Sequence, residues 1–463
     1  MSTAPIWDTG LIKKYDLSGP RYTSYPTAVQ FQEDFDLQHY ESSAWRSSAI
    51  NNPLSLYVHI PFCSHVCYYC ACNKIVTKHR SKAEEYLDYL FREIDMQASL
   101  FGRDQRVEQL HLGGGTPTFL SPDQISAVMD KLRSVFNFGS QNHSDFSIEL
   151  DPREVDWVMM SHLRDEGFNR ISIGVQDLDE KVQKAINRVQ PEEQVQSVLD
   201  AARTMAFNSV HMDLIYGLPH QTVDGFMNTV DRIINMAPDR LSLFNYAHLP
   251  HRFKQQRRIN EADLPCPEAK LDILHQATEK LVERGYVYIG MDHFALPDDE
   301  LAIAQETGTL HRNFQGYTTH SHCDLIAMGV SSISKVGGVY TQNHVSMDAY
   351  QKAIDEGKLP AYRGLTMNRD DEIRQAVINE LICHFKLDFA EVEERYELKF
   401  SDYFSDALEA LRPMANDGLL ALTEQGIKVE PRGKMLIRNI CMQFDGYFKQ
   451  QMQQQQALYS KVI

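Results

Sequence analysis

Four of the chain's eight cysteines fall within ten residues, in "HIPFCSHVCYYCACN" from His59 to Asn73. Cys63, Cys67 and Cys70 follow C-x3-C-x2-C spacing, and Cys72 lies two residues further on. Thiols crowded in this way form disulfides or bind metal. The amino terminus, "MSTAPIWDTGLIKKYDLSGP", lacks the apolar core of a signal peptide, and no stretch approaches the length of a membrane span. The expectation is a soluble cytoplasmic protein, and in that compartment clustered cysteines bind metal or react. Two metal chemistries fit. A structural zinc site wants a closed tetrahedron, which Cys72 could complete. An iron–sulfur cube held by three thiolates leaves one iron open to an exchangeable ligand. Spacing alone leaves both open.

The elements that must position this loop alternate. "LSLYVHI" reads as a strand running straight into the cysteines, and "KAEEYLDYLFREIDMQ" has helical periodicity. "EQLHL" is a strand ending in "GGGTP", with Ser121 as N-cap and Pro122 at the first position of the next helix. The cycle repeats through "DFSIEL", "RISIGV", "SVHMDLIYG" and "RLSLFNY". About six strand–helix cycles with nearly continuous apolar strands imply an α/β fold with a parallel sheet buried on both faces. Periodicity does not say whether the sheet closes.

Past residue 250 the rhythm changes. A long helix and the strand "YVYIGM" lead into a Gly- and His-rich stretch from Asp292 to Gly338. The last hundred residues read as mainly helical, with "LLALTEQGIKVEP" forming two short β runs around a Gln-Gly turn, like a winged-helix unit. The domain expectation is 1–50 as an amino-terminal segment, 51–250 as the core, 251–358 as its extension and 359–463 as the helical domain. The tail "KQQMQQQQ" is a low-complexity, solvated helix end. A formal charge of −17 argues against broad nucleic-acid binding. Cys266, Cys323, Cys383 and Cys441 lie far apart, and the last two sit in apolar surroundings as small hydrophobes.

The cysteine loop, with Tyr69 just before its last ligand and a following strand that ends in "GGGTP", resembles the radical S-adenosylmethionine (SAM) superfamily. Further segments extend the likeness to nearly the whole chain: "SGPRYTSYPT", "SIELDPRE", "GVQDLD", "DLIYGLP", "GMDHFALPDDELA" and "HRNFQGYTT". Together they resemble the oxygen-independent coproporphyrinogen III oxidase (dehydrogenase) family of haem biosynthesis. The related radical-SAM haem chaperones share the core motifs but lack the "PRYTSYPT" segment, and carry "DF"-like residues after the last cluster cysteine. The resemblance implies a partial (β/α)6 barrel, with an amino-terminal segment and a mainly helical carboxyl-terminal domain.

It also implies a cofactor set. Cys63, Cys67 and Cys70 would hold one 4Fe–4S cluster, whose fourth iron is chelated by exchangeable SAM. Tyr57, Tyr69, Gly113, Glu149 and Ile333 would lie around that first SAM. A second SAM would be bound by Gln176, Arg188, Asp213 and Ala247, with Gly114, Gly115 and Thr116 between the two. Cys72 becomes a non-ligating thiol near the reaction. Without the resemblance, Tyr57 would read as core packing and Arg188 as a solvated charge. The implied reaction converts two propionates of coproporphyrinogen III to vinyls, giving protoporphyrinogen IX. The substrate carries four carboxylates, and Arg21 and Arg312 are the candidate counter-charges. The implied partners are this substrate and a low-potential donor such as a flavodoxin or ferredoxin, with no nucleic acid and no membrane span, acting on a monomer. The rival outcomes are a haem chaperone and a zinc module with a winged-helix tail.

Overall fold

Runs such as Leu54–Ile60, buried at nearly every position, cannot leave either face in water, so they stack as a covered sheet. The computed structural model describes residues 4–17, 19–139 and 144–453; the tail beyond 453 lies outside them. The chain divides into two compact units, one of residues 31–277 and 322–366, the other of residues 1–30, 278–321 and 367–463.

The first unit carries the parallel sheet. Its strands are β1 (Leu54–Ile60), β2 (Val107–Gly114), β3 (Asp145–Leu150), β4 (Arg170–Gln176), β5 (Ser209–Tyr216) and β6 (Arg240–Asn245), followed by β7 (Asp324–Met328), β8 (Ile333–Val336), β9 (Val339–Asn343) and β10 (Ala361–Thr366). They lie in the order β10-β9-β8-β7-β1-β2-β3-β4-β5-β6. β1 to β6 pair in sequence and in parallel, and β7 joins the other side of β1, also parallel. β8, β9 and β10 continue antiparallel. The row does not close on itself, so the barrel is partial. Helices Ser81–Ala98, Pro122–Val135, Trp157–Asp165, Glu192–Thr204 and Val223–Met236 form the crossovers. Ser121 caps the second of these with a capping box to Gln124, as its sequence predicts. Because all six strands point the same way, their carboxyl ends share one rim, where parallel sheets place ligands.

Within the sheet's cover, Glu93 is fully buried. Its carboxyl accepts hydrogen bonds from the Gly329 N–H (2.7 Å), Asn343 Nδ2 (2.6 Å) and the Tyr350 hydroxyl (2.5 Å). Burial still outweighs these donors and raises its pKa from 4.5 to about 7. A folded-state value above the unfolded one means that the group's contribution is full below about 4.5 and is lost as pH rises through 7. Anaerobic urea titrations are therefore expected to give about 3 kcal/mol less stability from this group at pH 8 than at pH 5. Glu93→Gln should flatten that slope; an unchanged slope would place its origin elsewhere.

The second unit is mainly helical. Helices Arg369–His384, Phe389–Tyr396 and Ser405–Asn416 accompany a small antiparallel sheet of Leu420–Leu422, Gly426–Val429 and Lys386–Asp388. The first two strands are the β runs expected around the Gln-Gly turn. The third was not legible, because three residues are too few to show a period. A hairpin, His311–Asn313 with Gly316–Thr318, occupies the "HRNFQGYTT" segment. Cys383 and Cys441 are buried, as expected of small hydrophobes. In the amino-terminal segment, the buried Tyr22 hydroxyl donates to Asp445 Oδ2 at 2.9 Å.

Candidate active site

The cysteine loop leaves the carboxyl end of β1 through a short stretch, Phe62–Cys63, that pairs with Ile75–Val76. Its two ends are thereby held together. Between them, the Val66 carbonyl accepts from Asn187 Nδ2 at 2.8 Å, and the Tyr69 carbonyl from Gln256 Nε2 at 2.9 Å. The amide of Gln255 donates to the Cys70 carbonyl. The glycine turn after β2 is tied to the same loop: Gly115 N–H donates to the Ile60 carbonyl (2.9 Å) and Thr116 N–H to that of Phe62 (2.8 Å). A Cβ on Gly115 would stand 2.8 Å from the Pro61 carbonyl carbon and from the Phe62 carbonyl oxygen, so only glycine permits this approach. Gly114, at φ +116°, has its bare face against the His59 ring.

Cys63, Cys67, Cys70 and Cys72 line one cavity of about 250 Å³ at this rim, bounded by Gly114, Gly115 and Thr116. Glu149 near the end of β3, Gln176 at the end of β4, Arg188 from the loop that precedes helix Glu192–Thr204 and Asp213 from within β5 line the same cavity. Donors aim at the sulfurs. Thr116 Oγ1 lies 3.5 Å from Cys63 Sγ; Arg188 Nη1 and Arg153 Nη2 lie 3.5 and 3.7 Å from Cys67 Sγ. Burial pushes the Cys63 thiol up to about 11, so its thiolate needs the positive charge of a bound metal core. The Cys72 thiol hydrogen-bonds Cys70, which lowers Cys70 and raises Cys72. Soft donors in a cavity with hydrogen bonds directed at sulfur fit a thiolate-held iron–sulfur centre.

Asp151 organises the charges. It binds Arg188 Nη1 at 2.9 Å and Arg153 Nη2 at 2.6 Å, all three side chains being largely buried. Although burial opposes it, the two guanidinium groups hold the Asp151 carboxyl down at about 2. Arg188 also donates to the Gly174 carbonyl at 2.5 Å, so it is a buried cation engaged through both terminal nitrogens rather than a solvated one. Glu149 accepts from the Gly114 N–H at 3.0 Å and lies 3.3 Å from His111 Nε2. Burial would raise it, but these contacts keep it below the usual carboxylate value. Asp213 is raised, chiefly by burial, and accepts from the Ser172 hydroxyl at 3.1 Å.

Of the remaining candidates, Tyr69 and Gln176 line this cavity, whereas Tyr57, Gly113, Ala247 and Ile333 are not among its lining residues. Tyr57 stacks on His111 at 5.8 Å between ring centroids, and a Cβ on Gly113 would meet Glu149 at 2.9 Å. Tyr69 lines the cavity and packs against the buried cluster of Val182, Ile186, Leu218, Tyr246 and Ile259. Gln176 takes φ +68° at a bulge that ends β4, which turns it to the rim. The Ala247 carbonyl accepts from Gln256 Nε2 at 3.2 Å, the same amide that holds Tyr69. Ile333 opens β8. Arg21 and Arg312 belong to the other unit; Arg21 is exposed, and Arg312 Nε donates to the Tyr22 carbonyl at 3.3 Å. Sequence reasoning missed Asp151, Arg153 and His111. The "ELDPRE" motif contained the first two, but the groups they share, Arg188 and Cys67, are remote in sequence.

Residues 57–233 match the family model of the radical SAM superfamily, and residues 367–436 match that of the HemN C-terminal domain. The oxygen-independent coproporphyrinogen III oxidase of Pseudomonas aeruginosa is 55% identical, over 95% of this chain and 96% of its own. This chain belongs to the oxygen-independent coproporphyrinogen III oxidase family. The Escherichia coli oxidase is 52% identical over 99% of this chain and 98% of its own length. A solved structure titled as coproporphyrinogen III oxidase (HemN) from Escherichia coli, a radical SAM enzyme, superposes with a TM-score of 0.92 at 50% identity, covering 96% of this chain and all of that one. Membership of this family implies a 4Fe–4S cluster and SAM, the second of the two metal chemistries that spacing left open. Among the described residues, no helix is long and apolar enough to cross a membrane.

Proposed function

We propose that this chain converts two propionate side chains of coproporphyrinogen III to vinyl groups without oxygen, giving protoporphyrinogen IX for haem biosynthesis. The observation that carries this is the single cavity where the three cysteines, the glycine turn and Glu149 meet, in a chain aligned end to end with oxidases of that name. Cys63, Cys67 and Cys70 hold one 4Fe–4S cluster, and Cys72 stays outside its ligand set. When bound, the cluster and SAM would supply one-electron radical chemistry able to start hydrogen abstraction at the β-carbon of a propionate. The substrate then releases carbon dioxide and passes one electron to a one-electron acceptor, leaving a vinyl. A flavodoxin- or ferredoxin-type donor provides the initiating electron.

The chain's own residues bind and orient. Gly113 to Gly115 expose backbone edges to the first SAM, and Glu149, kept ionised by His111 and the Gly114 N–H, accepts from its hydroxyl or ammonium groups. Tyr57, Tyr69 and Ile333 supply apolar walls. Gln176, Arg188, Asp213 and Ala247 receive a second SAM, with Thr116 between the two. Arg188 reaches that role already committed to Asp151, so its part is to fix local charge as much as to contact ligand. For the substrate's carboxylates, Arg21 is exposed, and Arg312 keeps a buried Nη1 with no hydrogen-bond partner among the described residues.

Anaerobic assay with coproporphyrinogen III, SAM and a low-potential reductant tests the reading. The divinyl product should form through a monovinyl intermediate, because one radical event removes one carboxylate. Stoichiometric haem binding with no decarboxylation, despite a full cluster, would replace the oxidase reading with a chaperone.

A further inference from the structure

The Gly- and His-rich stretch contains "THSHCD", and its chemistry is not used at the rim. Cys323 directly precedes β7, and Glu108 is the second residue of β2. Those strands flank β1, where Leu54 pairs with Val107 on one side and Asp324 on the other. Glu108 and Cys323 therefore meet across the amino end of β1, at the pole of the sheet opposite the cysteine cavity. His322 Nε2 lies 2.8 Å from Glu108 Oε2, and Cys323 Sγ lies 3.8 Å from the same oxygen. The ligand-capable atoms of the three all fall within 4.8 Å of one another.

We propose that Glu108, His322 and Cys323 form a second metal site, which takes a divalent transition ion and by its donor set prefers zinc. One imidazole nitrogen, one thiolate and one carboxylate are the ligand types of zinc proteins. Bonds of about 2.0–2.3 Å to a tetrahedral ion place ligand atoms about 3.3–3.7 Å apart. The Cys323–Glu108 separation is already close to that, and the His322–Glu108 contact has only to open by about half an ångström. The His322 side chain is 54% exposed, so an ion enters from solvent without opening the sheet. The fourth position is left to water. An ion held there ties β2 to the lead into β7 across β1. It is a structural clamp at the pole remote from catalysis, and it does not depend on the proposed reaction.

The test uses the full-length chain with its cluster assembled, incubated anaerobically with zinc chloride, desalted, and analysed for zinc and iron by mass spectrometry. The wild type should retain one zinc per chain. The Cys63→Ala/Cys67→Ala/Cys70→Ala variant should retain it too, which separates this site from an iron-free cluster loop. His322→Ala, at an exposed position that folding tolerates, and Cys323→Ser should each lower retained zinc at least tenfold while iron content is unchanged. Cobalt(II) in place of zinc should give a thiolate-to-cobalt charge-transfer band that Cys323→Ser abolishes. Wild type without retained zinc, zinc undiminished in both His322→Ala and Cys323→Ser, or zinc lost only in the triple variant would each overturn the proposal.

Discussion

Replacing Cys63, Cys67 or Cys70 with Ala is expected to strip the chain of cluster iron and visible absorbance and to abolish turnover, while Cys72→Ala keeps the iron. The four thiols line one cavity, so proximity does not distinguish them. Their surroundings do. Cys63 and Cys67 are buried, with hydroxyl or guanidinium donors aimed at their sulfurs, and Cys70 is lowered by the Cys72 thiol beside it. Cys72 is exposed and acts as the donor in that pair. Losing any one of three ligands from a cube with one open iron leaves two, too few to hold it. The measurement is anaerobic reconstitution with iron and sulfide analysis, in which iron falls from about four atoms per chain to near zero. Iron lost in Cys72→Ala but retained in Cys63→Ala would reverse the ligand assignment.

Asp151→Asn is the second large effect. Asp151 is the carboxylate between Arg153 and Arg188, and removing its charge leaves two adjacent guanidinium groups facing each other inside the protein. Breaking a buried pair from one side costs about 3–5 kcal/mol, because the remaining charge is left uncompensated. Arg188→Met should cost less, since Asp151 keeps Arg153 at 2.6 Å. Both guanidinium groups also donate to Cys67, so the damage extends to the cluster loop and Asp151→Asn should hold its iron less firmly. Urea unfolding of the two variants, with iron retention after chelator challenge, checks the order. Equal losses for both, or none, would show that the triad does not bear this load.

How far the molecule was legible depended on whether a feature is local. Cys63, Cys67 and Cys70 stand within eight positions, and the glycines after β2 are contiguous, so spacing exposed them at once. The six strand–helix cycles were legible for the same reason, each period fitting inside one element. The Asp151 triad was not. Arg188 reads as a surface charge until β4 and the turn after β3 bring residues 151, 153 and 188 together around Cys67. His111 looked like one more strand residue, yet strand pairing puts it beside Tyr57 and across from Glu149. The cluster of Glu108, His322 and Cys323 joins positions more than two hundred residues apart, and only register across β1 reveals it.

The carbonyls of the cysteine loop are gripped by side chains 121 to 187 residues further along the chain. That geometry sets an order of events in the life of the molecule. A nascent chain that has just released residues 59–73 from the ribosome has the thiols but none of the grips, since Asn187, Gln255 and Gln256 are not yet made. The loop takes its shape only after β5 and β6 have been synthesised and docked. Cluster assembly at the proposed ligands is therefore expected on a folded rim rather than on an emerging peptide.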